Sequence, residues 1–283
     1  MFRLPRPDQL ATRRWAKVLA VTDWHVVADS DFAVPEGADH DGLAQELAEA
    51  LADPNPEVRD GSAYSVLANW VERGVLDRQL RWLGDLMADR FADPRVQART
   101  FAPLVLSWVI NRGGFEERWA QVFEQWYLAE TDLRGYDERL GWLHAVAHGA
   151  DLLGVLGRDE RISPERMLEL AARRMVADTE FVWRDQEDDR LGHAIALTLC
   201  RSSLTATRSV SWLDLVDQRL ATCGPGPVPP FASNTIHTLR ALYVIADRGV
   251  RAAPNEAATS LSHRDKVLGR LAESLATVSW FAG

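Results

Sequence analysis

The sequence predicts an all-α fold of about eleven helices, and three observations carry that prediction. Apolar residues recur at helical spacing, as Leu43, Leu47 and Leu51 do at i, i+4 and i+8. Pro- and Gly-bearing breakers punctuate the chain at short intervals, as at 53–56 and 113–114. No window sustains the apolar/polar alternation of a strand, so essentially no sheet is expected. With 283 residues, 47% of them hydrophobic, the chain can bury a large core without covalent staples. Its two cysteines, Cys200 and Cys223, make no disulfide framework.

Taken in order, residues 20–42 read as an irregular arm. A helix follows over 43–52, closed by the Asp-Pro-Asn-Pro run at 53–56. The next runs over 57–74 to Gly74, a natural stop, and another over 75–91 to Asp93-Pro94. Helices over 95–112 and 115–130 flank Gly113-Gly114. Residues 137–157 read as one further helix. Ser163 is an N-cap with Pro164 in the first turn of the helix after it. Segments 186–200, 208–221, 232–247 and 263–279 complete the series. The run 223–231, rich in Gly and Pro, is the softest joint.

Residues 43–67 consist of an apolar helix, an Asp-Pro turn and a second helix that starts with Val58-Arg59-Asp60. Residues 93–109 repeat the turn and second helix about 40 residues later, the period of a helical repeat. This pattern resembles the HEAT class of α-solenoid. The resemblance implies one domain over 1–283, a right-handed stack of helix pairs, with 1–42 as N-terminal arm and first helix and 43–283 as the repeats.

Net charge is −9, which lacks the basic footprint of a nucleic-acid binder. No apolar run approaches the ~18 residues of a membrane helix, and the N-terminus has no signal-peptide core. A cytoplasmic protein is expected, with a small molecule, peptide or protein as partner and neither nucleic acid nor membrane. Of the 32 cations only Lys17 and Lys266 are lysine. That bias reads as genome composition, with no functional meaning. Of the eleven Trp, most fall beside Leu and Val on helices and read as core; Trp142 and Trp24 are the binding-face candidates.

One segment departs from this background. Residues 129–153 concentrate Glu130, Asp132, Arg134, Asp137, His144, His148 and Asp151. At ~100° per helical residue, His148 lies ~40° from His144 and Asp151 ~20° the other way. Asp137 joins the same stripe if the helix begins that early. Two imidazoles at i, i+4 with a carboxylate one turn on can hold a divalent metal such as Zn, Fe or Mn, for hydrolytic or oxidative chemistry. Ala145 occupies the place of the HExxH glutamate, so a base must come from elsewhere. A second cluster, 184–193, offers Asp185, Glu187, Asp188, Asp189 and His193. Asp188 can reach toward the His pair, and Glu187 is a binding candidate. Arg134 and Arg190 can pair these acids or clamp an anion. Asp132, Arg134, Asp137, Asp188 and Arg190 are therefore the catalytic candidates, Trp142 and Glu187 the binding candidates, and His144, His148 and Asp151 the metal candidates.

The run ExDxRGYDxxxGWxHxxAHGADLL, from Glu130 to Leu153, resembles the central signature of an uncharacterised bacterial family of unknown function. Arg59-Asp60 and Tyr64 fit an early element of that family. Arg99, Phe101, Leu104, Val105 and Leu106 fit a second, with Thr100 and Ala102 in place of Ser. Asp188, Arg190 and Leu191 fit a third, with Asp189 in place of Glu. The resemblance implies the fold class but no activity. Two function classes stay open: a metal-dependent or metal-free acid–base site on the central helix, and a non-enzymatic scaffold in which the His/Asp stripe ties repeats together. P-loop, GxGxxG, GxSxG and CxxC motifs are absent, which removes the usual support for nucleotide, dinucleotide, serine-hydrolase and thiol-redox chemistry.

Overall fold

The computed structural model describes residues 22–278. Trp15, Lys17, Trp280 and the first 21 residues of the arm lie outside them. The chain forms α1 (Trp24–Asp29), α2 (His40–Ala50), α3 (Pro56–Val58), a π-helical turn (Arg59–Ala63), α4 (Tyr64–Glu72), α5 (Leu80–Arg90), α6 (Val96–Asn111) and α7 (Glu117–Ala129). A hairpin of β1 (Tyr136–Asp137) and β2 (Gly141–Trp142) follows. Then come α8 (Ala145–Arg158), α9 (Pro164–Met175), α10 (Glu187–Leu199), α11 (Leu213–Leu220), α12 (Pro230–Arg248) and α13 (Arg264–Val278). The molecule is mostly helical, as its periodicity requires.

Local chemistry sets the helix ends. The carboxylates of Asp23 and Asp39 accept backbone N–H groups at the starts of α1 and α2, and Asn55 does so for α3. Ser163 caps α9, with Pro164 at its first position. Gly74 and Gly113 take φ of +78° and +106° beyond α4 and α6, where a Cβ would be strained.

Four expectations are corrected. The helix over 57–74 is interrupted by the π turn at Arg59–Ala63. The helix over 75–91 begins only at Leu80, because 75–79 are spent on turns after Gly74. The helix over 208–221 begins at Leu213. The helix over 137–157 begins at Ala145, preceded by the hairpin that the expectation of no sheet missed. There the Asp137 carboxylate accepts the N–H groups of Arg139 and Leu140, at 3.0 and 2.9 Å, which turns the chain. Gly141 completes the turn at φ +71°.

Two rows of helices enclose the core. Along one row α4, α6, α8, α10 and α12 touch in succession; along the other, α5, α7, α9, α11 and α13 do. Trp70, Trp119, Phe123 and Tyr127 are fully buried among the aliphatic residues of both rows. Trp24 belongs to this core too, edge-on to Trp70 at 5.8 Å, so its place as a binding-face candidate is corrected. Trp142 is exposed, at 44%.

Arginines link the helix pairs. Helix C-termini leave carbonyls without intrahelical partners, and guanidinium groups from later elements satisfy them. Arg90 donates to Ala48 O near the end of α2, and Arg59 to Asp53 O just beyond it. Arg99 reaches Asp93 O and Pro94 O after α5, and Arg174 reaches Tyr127 O and Glu130 O at the end of α7. Arg201 gathers Gly157 O, Asp159 O and Ile162 O beyond α8. A planar fork of five donors can serve several carbonyls at once; an ammonium cannot. Arg174→Lys is expected to lower the unfolding free energy by about 2 kcal/mol, through lost bonds to buried carbonyls, in urea titrations.

Small residues on α8 let the rows approach. A Cβ on Gly149 would run into the ring of Tyr127, whose hydroxyl donates to Val146 O at 2.9 Å. Gly149→Ala, which would stabilise an exposed helix, is expected to destabilise this one by about 1–3 kcal/mol through overpacking. A rise in the urea midpoint would contradict this placement.

Candidate functional site

The site grows from the chain that leads into α8. Glu130 is nearly buried. It accepts from Nε and Nη2 of Arg99, from Trp126 Nε1 and from the backbone of Thr131 and Asp132. Burial pushes its carboxyl up, but these donors outweigh it and hold the group below the usual range. Arg134 then clamps Asp132, at 2.6 Å, and also Asp137. Asp132 and Asp137 thus share one guanidinium at the hairpin, while Glu130 is held by Arg99 and Trp126. Asp137 stands in β1, off the α8 stripe.

From the other side, Arg59 reaches the hairpin. Its side chain is fully buried and donates to Leu140 O at 2.5 Å and Trp142 O at 3.4 Å, while Nε pairs with Asp60 at 2.7 Å. Its guanidinium lies over the Phe101 ring, 4.7 Å from the centroid. Sequence reasoning quoted Arg59 and Asp60 only as part of a resemblance. The signal for a role at this site is the π turn, a feature that often marks functional positions.

His144 precedes α8 in a left-handed conformation, φ +49°, and its ring stacks on Trp142 with centroids 4.5 Å apart and planes 6° from parallel. Its Nδ1 lies 3.4 Å from Oε1 of Glu187, which is fully buried at the start of α10. The contact lacks hydrogen-bond geometry, and both atoms are buried without another hydrogen-bond partner. The other Glu187 oxygen accepts from Asp185 N at 2.8 Å. Burial pushes the Glu187 carboxyl up; the facing imidazole and the backbone donors win, and it is held below the usual range. Gln186, just before it, is also left-handed, at φ +67°. Gly135 lies so close beneath that a Cβ would strike the Asp185 and Glu187 carboxylates.

His148 lies one turn along α8, its centroid 5.5 Å from His144 and 5.2 Å, edge-on, from Phe101. Its Nδ1 is 2.9 Å from Thr100 O. A carbonyl only accepts, so Nδ1 carries the proton in the neutral ring. Burial, then the Arg190 charge, drives this histidine well below its ordinary value. Asp151 pairs with Arg190, and burial still raises its carboxyl. Asp188 points elsewhere, 3.7 Å from His237. His193 Nε2 donates to Arg251 O at 2.7 Å.

The structure therefore brings together Trp142, His144, His148 and Glu187 as one group, Asp151 with Arg190 as a second, and Asp132, Arg134 and Asp137 as a third. Among the described residues no three His, Cys, Asp or Glu side chains stand where they could share a metal ion. Of the donors expected to do so, Asp151 is paired with Arg190, and His148 directs Nδ1–H at Thr100 O, which leaves its Nε2 lone pair unused by that bond. Among the described helices, none is long and apolar enough to cross a membrane. Both cysteines are free.

The neutral burial of His148 has a pH signature. Its folded pKa lies below the unfolded value of 6.5, so below that pH the unfolded chain binds a proton that the folded chain refuses. Unfolding free energy is expected to fall as pH drops from about 6.5 toward 5, by up to ~1.4 kcal/mol per unit from this group. His148→Gln should flatten that slope in urea titrations at several pH values; an unchanged slope would show that His148 is not the cause.

A family model described as a protein of unknown function, DUF2785, matches residues 89–244, more than half of the chain, and the chain belongs to that family. The match spans α6 through α11 and the hairpin, and most of α12, so it covers the site except Arg59, Asp60 and Tyr64. No curated protein and no solved structure matches the chain.

Proposed function

We propose that this member of the DUF2785 family binds a small molecule beside α8 and hydrolyses it by metal-free acid–base chemistry. His144 is the proton carrier and Glu187 its orienting carboxylate. The observation that carries this reading is the 3.4 Å approach of His144 Nδ1 to the fully buried Glu187 Oε1, each without a hydrogen-bond partner. An ionised carboxylate in front of Nδ1 favours the tautomer with its proton there, which leaves Nε2 to take a proton from water. The length of the contact suits a site that tightens when substrate binds.

Two further features support the reading. The left-handed backbones of His144 and Gln186 are the kind of local strain that gathers at working sites, and they set the two facing side chains. The half-exposed Trp142 ring covers His144 and offers a flat apolar face to a ligand. The reading is metal-free because, among the described residues, no three His, Cys, Asp or Glu side chains converge on one point. The two-row arrangement supports an α-solenoid of HEAT-like pairs as the scaffold.

The test is turnover of a panel of activated esters, phosphoesters and amides by chelator-dialysed protein. His144→Asn keeps a residue tolerant of the left-handed backbone, and Glu187→Gln keeps the shape. Each is expected to lose about 100-fold or more in rate with an unchanged melting midpoint. Hydrolysis that vanishes on dialysis and returns with Zn or Mn would restore the metal. Turnover indifferent to both variants, or no turnover across the panel, would overturn the proposal.

A further inference from the structure

A cavity of about 220 Å³ opens beside α8, between α4, α6 and α10, beyond His148 along the helix. It has room for roughly seven waters at ~30 Å³ each, and so for a small metabolite. Asp151 and Arg158 both line it. Seven residues apart, they lie on the same face of α8 about 10 Å from each other.

The charges do not cancel. Asp151 is neutralised by Arg190, and His193 spends Nε2–H on Arg251 O. Arg158 is exposed and forms no ion pair among the described residues. The remaining charge in the lining is therefore one cation, the exposed Arg158. The walls are mixed: Leu104, Val155 and Leu197 are aliphatic, Tyr64 and Trp108 aromatic, and Ser107 and Asn111 polar. Trp108 Nε1 donates to the Tyr64 oxygen at 3.1 Å, which leaves the Tyr64 proton available to an acceptor in the cavity. Burial raises the Tyr64 phenol, so it stays a donor. A cation and a hydroxyl donor beside aliphatic and aromatic side chains match one class of ligand.

We propose that this cavity binds a small monocarboxylic acid with an aromatic or branched aliphatic body. Its carboxylate would pair with Arg158, and its body would lie against Tyr64, Trp108 and Val155. The inference does not rest on proton transfer by His144. It uses the adjoining stretch of α8 and stands if that reading fails. The bland view of Arg158, a cation in the last turn interacting with the helix dipole, explains its sign but not a cavity with an aromatic wall beside it.

Calorimetric titration of the full chain with benzoate and isovalerate, against neutral benzamide, tests this. At least one acid is expected to bind, and benzamide about tenfold more weakly than benzoate or not at all. Arg158→Gln, at an exposed position without an ion pair, should fold normally and lose about tenfold in affinity. Tyr64→Phe should lose about fivefold. His144→Asn should bind as the wild type does, which separates this site from the proposed hydrolytic one. Absence of binding by both acids at about 10 mM, equal binding of benzoate and benzamide, or full affinity in Arg158→Gln would each overturn the proposal.

Discussion

The carbonyl groups at helix C-termini are the constraint on which this structure depends. In a molecule made almost wholly of short helices, every helix ends in carbonyls that its own backbone cannot satisfy. Near the core, water cannot take all of them, and an orphaned carbonyl costs about 1–3 kcal/mol. Guanidinium groups from the following pair supply the missing donors: Arg90 for α2, Arg174 for α7 and Arg201 for α8. Each such bond spans more than forty residues, so it ties helices distant in sequence to one another. Desolvation is the cost. It lowers the pKa of Arg90 and Arg174, yet arginine stays charged where a lysine would give up its proton. The scarcity of lysine, read from composition as a genomic habit, thus has a structural use in this chain.

Arg59 applies the same rule to the site. The hairpin at 136–142 is too short to hold itself, since one ladder of two residues buries almost nothing. Arg59 takes its carbonyls from one side, and the Arg134 cluster holds its acids from the other. With the hairpin fixed, the chain enters α8 through the left-handed His144, and that conformation aims the imidazole at Glu187.

Much of this was legible in the sequence, and the failures have physical causes. Helices with strong periodicity and clear stops, such as 95–112 and 232–247, lie within two residues of their expected places. The run 137–157 misled because Leu140, His144, His148 and Asp151 keep helical spacing on paper. The Asp137 turn and Gly141 were the local signals against it, and tertiary donors from Arg59 decided the matter. For the same reason Asp137 was placed on a stripe that its backbone never joins. In the second cluster Glu187 and Asp188 are adjacent, so one turned in and the other out. The helix start at Gln186 selected Glu187, a choice of one residue in phase that spacing alone could not make.

The polar stripe of α8 can be buried because its groups differ in charge state. His148 is kept neutral by burial and by the Arg190 charge, and its proton is directed at Thr100. Glu187 is held below the usual carboxylate range by the facing His144 imidazole and by backbone donors. Asp151 is pushed upward by burial while Arg190 opposes the shift. Neighbouring groups whose environments drive them apart are the arrangement from which acid–base roles arise. Nδ1 of His144 and Oε1 of Glu187 stand 3.4 Å apart, short of a hydrogen bond, and in the proposed hydrolytic reading a bound substrate tightens this contact. The left-handed backbone at His144 and the open contact both have a use in that reading, where a ligand completes the geometry.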